Sequence, residues 1–109
     1  MNGKPIPVAD LNSGFVVAIS IVAKDGEGDA VAAILAEITP PSLAEPGIKV
    51  FLPYRSPTDP NSFFIYELYR DELAWKEHQE TEHFRRLIPE IVKRVSKRER
   101  VPYVPYVKL

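Results

Sequence analysis

A chain of 109 residues with 45% apolar and 27% charged side chains has the size and composition of one globular domain, which excludes a disordered chain or a coiled coil. The formal net charge of -1 speaks against a protein whose main work is neutralising phosphates, and the lack of cysteine removes disulfides, thiolate nucleophiles and thiolate metal sites. Apolar runs such as FVVAISIVA are too short to span a bilayer and MNGKPIPVADLN lacks a signal-peptide pattern, so the expectation is a soluble, cytoplasmic protein with no nucleic-acid or membrane partner.

Residues 1–13 carry Pro5 and Pro7 with little periodicity and predict a flexible or extended arm preceding one domain over 14–109. GFVVAISIVAK, 14–24, is rich in β-branched residues and predicts a strand, closed by a turn at Asp25-Gly26. Val31, Ile34, Leu35 and Ile38 recur at helical spacing and predict a helix from Glu27 to about Thr39, ended or kinked by Pro40-Pro41. IKVFLPYRS, 48–56, and SFFIYELYR, 62–70, read as two further strands joined by a proline-rich loop. Asp71 is a good N-cap for a helical region from Glu72 to about Lys97, with a break or a new first turn expected at Pro89. ERVPYVPYVKL closes the chain as a fourth strand.

The order β-α-β-β-α-β leaves the sheet order to the prolines, which cannot donate to a ladder and are confined to edges. The second strand contains Pro53 and the fourth Pro102 and Pro105, whereas the first and third contain none inside. The prediction is a ferredoxin-like α+β sandwich with an antiparallel 4-1-3-2 sheet. In that fold helices cover one face only, yet the third strand is apolar on both: Phe63, Ile65 and Tyr69 alternate with Phe64, Tyr66 and Leu68. A solvated face would be polar at every second residue, so a second copy of the sheet is expected to cover it, giving a homodimer.

The candidate chemistry lies between residues 63 and 84, which hold both histidines. On one continuous helix Ala74, His78 and Thr81 share a face, and the small neighbours leave room for a cavity beside His78. The plain alternative is a hydrogen-bonded interfacial histidine. His83 follows five positions later, ~140° around an ideal helix, so the pair would not hold one metal, and no protein-bound metal is expected. Glu67 shares its face with Phe63, Ile65 and Tyr69, so an ionised carboxylate there needs a partner or a wet cavity. Trp75, Tyr66 and Phe51 serve either as core or as pocket wall. The run KRVSKRER, 93–100, reads as a solvated helix C-terminus rather than a nucleic-acid site.

AEPG at 44–47, FFIYELYRD at 63–71 and HQETEHF at 78–84, in this order, resemble the antibiotic biosynthesis monooxygenase (ABM) family, in particular its quinol-monooxygenase-like members. The resemblance spans roughly residues 14–107; Tyr69 departs from it, standing where tryptophan is common. It implies a dimeric α+β barrel and a cofactor-independent monooxygenase that oxidises a small electron-rich aromatic (quinol, phenol or polyketide-like) with O2. In that reading His78 is the base or hydrogen-bond partner of the substrate hydroxyl and Glu67 orients it or holds a second hydroxyl. Trp75, Tyr66, Phe51, Thr81 and His83 then form the substrate-binding set. Two alternatives remain at this point. A haem-degrading relative would use His78 or His83 with Trp75, though the first strand offers Ser20 and no asparagine. A non-catalytic dimer could bind a small aromatic ligand on the same fold.

Overall fold

A computed structural model describes residues 7–109. Its elements are α1 (Val8–Leu11), β1 (Phe15–Ala23), α2 (Gly28–Leu43), β2 (Ile48–Arg55), β3 (Ser62–Tyr69), α3 (Glu72–Gln79), α4 (Glu82–Val92) and β4 (Val95–Tyr103). The four strands form one antiparallel sheet in the order β2-β3-β1-β4, so the proline argument places both edges correctly. The fold is ferredoxin-like α+β.

Alternation then assigns the faces. Val17, Ile19, Ile21 and Ala23 of β1 and Phe63, Ile65, Glu67 and Tyr69 of β3 point towards the helices. There the apolar members pack with Val31, Leu35 and Ile38 of α2 and Leu87 and Ile91 of α4 in one core. The opposite face carries Leu52, Tyr54, Phe64, Tyr66, Val101 and Tyr103. Among these, Leu52, Tyr54, Phe64, Val101 and Tyr103 are exposed, and the Tyr54 and Phe64 rings stack at 6.4 Å.

Four local expectations are corrected. Residues 8–11 form a helical turn rather than an extended arm, tied down where Lys49 Nζ donates to Ser13 Oγ at 2.9 Å; residues 1–6 lie outside the described residues. Helix α2 runs through Pro40-Pro41 to Leu43, because proline's fixed φ suits a helix and the carbonyls it leaves free belong to the exposed Ala36 and Glu37. The break in the second helical region falls at Glu80-Thr81, with Pro89 inside α4. Thr81 adopts an extended backbone and accepts a hydrogen bond from Phe84 N, as an N-cap does. The fourth strand starts at Val95, so most of KRVSKRER is strand rather than helix C-terminus: Arg98 and Arg100 face the helices beside Ile21 and Ile19, and Lys97 and Glu99 pair with each other on the open face.

Candidate active site

The α2–β2 turn, AEPG, abuts α3 closely enough to exclude a side chain at Gly47: a Cβ there would lie 2.5 Å from Ala74 Cβ. That approach sets Glu45 against His78, one helical turn beyond Ala74. His78 is buried, at 3% exposure, among the rings of Phe84, Phe51 and Tyr69 at 5.2, 5.7 and 5.8 Å. Its Nδ1 donates to Glu45 Oε2 at 2.6 Å. The chain break at Glu80-Thr81 turns His83 back to the same place, so its Nε2 donates to the same oxygen at 2.7 Å. The expectation that the two rings diverge is therefore corrected, because they belong to two helices and not to one. An imidazole that gives its Nδ1 proton to a carboxylate keeps a basic lone pair on Nε2. Nε2 of His78 has no partner among the described residues.

Burial holds His78 below the ordinary histidine range, with Glu45 pulling the other way, so the ring stays neutral and able to accept a proton at neutral pH. Glu67 shows the opposite displacement. Burial raises its carboxyl from 4.5 to about 7, against the hydrogen bond that Tyr69 donates to Oε1 at 2.5 Å. Tyr69 is itself pushed up by burial and by the neighbouring Glu67 charge, so it remains a donor.

The space these groups enclose is lined by Phe51, Glu67, Trp75 and His78, together with Phe84, Arg98 and Arg100 and several aliphatic side chains. It measures about 20 Å³, room for one water, whereas a cavity that admits benzene is on the order of 150 Å³. An aromatic guest therefore needs lining side chains to move; Trp75, Phe84 and Arg98 are only half-buried. A larger hollow of about 370 Å³ between α2 and β2 has neither a histidine nor a carboxylate in its lining.

Three members of the expected substrate-binding set lie elsewhere. Tyr66 sits on the open face, since an odd step along β3 from Glu67 reverses direction. Thr81 is occupied as the cap of α4 and donates its hydroxyl to His78 O at 2.7 Å. His83 holds Glu45 rather than lining the cavity. The residues the sequence did not single out are Glu45, Phe84, Arg98 and Arg100; only the AEPG turn signalled the first of them.

Oxygen and nitrogen atoms of Glu45, His78 and His83 all lie within 4.8 Å of one another, a set that can hold a divalent cation when each ring carries its proton on its other nitrogen. Ser20, the residue of β1 where a haem-degrading site would want asparagine, lies on the open face opposite Phe64 and Glu99, away from His78. No helix among the described residues is long and apolar enough to cross a membrane.

The same sheet-and-helix arrangement recurs in proteins of known structure. The chain belongs to the antibiotic biosynthesis monooxygenase family, whose model matches residues 14–90. It is similar to a solved antibiotic biosynthesis monooxygenase at 26% identity, covering 82% of this chain and 95% of that one, with a TM-score of 0.77. PA3566 of Pseudomonas aeruginosa shares the fold at 24% identity, 87% and 96% coverage and a TM-score of 0.82. Rv0793 of Mycobacterium tuberculosis shares it at 19% identity, 86% and 96% coverage and a TM-score of 0.80. No curated protein matches the chain.

Proposed function

We propose that this protein is a cytoplasmic, homodimeric, cofactor-independent monooxygenase acting on a small electron-rich aromatic such as a quinol. The observation that carries the reading is the Nδ1–Glu45 bond, which fixes a neutral His78 with its basic nitrogen free of any described partner. The substrate hydroxyl gives its proton to that nitrogen, and the resulting phenolate is a far better electron donor than the phenol. O2 takes the electrons. One oxygen atom enters the ring and the other leaves as water, so hydroquinone plus O2 becomes hydroxyquinone plus water with no outside reductant. Glu67, its carboxyl displaced to about 7, holds a second hydroxyl or the proton in transit. Phe51, Trp75 and Phe84 shelter the ring.

The test is O2 uptake by chelator-treated, flavin-free protein with hydroquinones, catechols and anthrones. The wild type is expected to exceed His78→Ala by on the order of 10² to 10⁴. Equal, slow uptake by both would refute catalysis. The aromatic lining of the cavity, Phe51, Trp75 and Phe84, also supports a second reading, a dimer that binds a small aromatic without turning it over. A ligand that quenches the fluorescence of Trp75, the sole tryptophan, without O2 loss would establish that one.

A further inference from the structure

We infer that the aromatic guest of this cavity carries a carboxylate, received by Arg98 and Arg100 on β4, while its hydroxyl faces His78. The inference builds on the proposed site and specifies its substrate class.

Two guanidinium groups stand on the inner face of β4, in register with Ile21 and Ile19, at positions where a core-facing strand is ordinarily apolar. Both line the cavity. Neither has a carboxylate within ion-pair distance among the described residues; Arg100 reaches only Gln79 Oε1, at 3.5 Å. The acid on the same strand, Glu99, points to the other face and pairs with Lys97 at 2.7 Å. The acid in the cavity lining, Glu67, accepts from the Tyr69 hydroxyl; its charge attracts Arg98 without reaching ion-pair distance. Burial, with repulsion from Arg100, lowers the Arg98 guanidinium below the ordinary arginine range, so this charge sits where it is poorly hydrated. A half-buried, unpaired guanidinium is costly unless an anion meets it, and a planar carboxylate matches its fork of donors. The proposed dimer would cover the opposite face of the sheet, so that contact does not supply the anion. His78 and the arginines enter from different walls, α3 and β4, so once the lining moves a benzene ring bearing a hydroxyl and a carboxylate would offer one group to each.

The probes are hydroquinone and gentisate, the same ring with one carboxylate added. Binding is read by quenching of Trp75, independently of turnover, with O2 uptake followed in parallel. Gentisate is expected to bind about tenfold more tightly than hydroquinone, one charge-assisted contact's worth, with the preference shrinking as salt rises. Arg98→Met is expected to erase most of the preference and Arg98→Lys to keep part of it, which separates loss of charge from loss of fold. Equal binding of the two compounds, absence of quenching by both, or a preference that survives the Arg98→Met, Arg100→Met double variant would overturn the inference. Tight gentisate binding without O2 loss refutes the monooxygenase and leaves the anion site standing. Equal binding and oxidation of both compounds does the reverse.

Discussion

Glu67 is the residue whose displaced titration falls nearest neutral pH. At 3% exposure it has exchanged water for one phenolic hydrogen bond, and burial outweighs that bond, holding its carboxyl at about 7 instead of 4.5. The folded chain therefore keeps the proton more firmly than the unfolded chain does. Its contribution to stability is fully present below pH 4.5 and is lost as pH rises through 7. The displacement corresponds to about 3 kcal/mol between pH 4 and pH 8. Glu67→Gln keeps the shape and an acceptor for Tyr69 while removing the titration. Denaturant unfolding is expected to show the variant more stable than wild type by roughly 1–3 kcal/mol at pH 8, with the gap closing towards pH 4.5. Catalysis is expected to fall in the same variant, because an amide cannot hold a mobile proton. A gap that stays constant across this pH range would mean that Glu67 does not titrate as its surroundings dictate.

At the scale of elements, the break between α3 and α4 makes the site. The hydroxyl of Thr81 accepts from Phe84 N and donates to His78 O, ending one helix and starting the next within a single side chain. On an unbroken helix His83 would point away from Glu45. Thr81→Ala is expected to cost about 1 kcal/mol in denaturant melts, the usual worth of an N-cap. It is also expected to loosen the shared Glu45 contact, visible as movement of the His83 ring resonances before those of His78. Unchanged histidine resonances would show that the junction is held by packing alone. The break was difficult to read because QETEHF is helix-compatible at every position, and a threonine followed by an acid is a weak signal when no proline or glycine accompanies it. Glu45 was harder still. It lies 33 positions before His78 in the chain and meets it only because Gly47 lets the turn press on Ala74, a packing result that no local pattern encodes.

For the whole molecule, proline placement and strand alternation carried most of the architecture, because both are rules of backbone hydrogen bonding that act wherever a sheet forms. They failed at β4, where the run KRVSKRER reads as a solvated helix end, yet three of its five cations, Lys97, Arg98 and Arg100, lie on the strand and sort to its two faces. The same alternation leaves the open face of the sheet with Leu52, Tyr54, Phe64 and Val101 side by side, a contiguous apolar patch of the sort that soluble monomers seldom present. Phe64 lies on the central strand β3, stacked on Tyr54 and still 42% exposed. A second copy laid on this face would bury the patch and leave both cavities intact, since each lies behind its own sheet. The wild type is expected to sediment at about twice the 12.3 kDa of one chain, and Phe64→Lys to sediment as a single chain, because one lysine per copy would put two charges into an apolar contact. The lysine side chain faces solvent in the separated chain, so its far-ultraviolet circular dichroism should match the wild type. If the wild type itself sediments as one chain at micromolar concentration, the patch is not a dimer seam. If Phe64→Lys remains a dimer, the seam lies elsewhere on the surface.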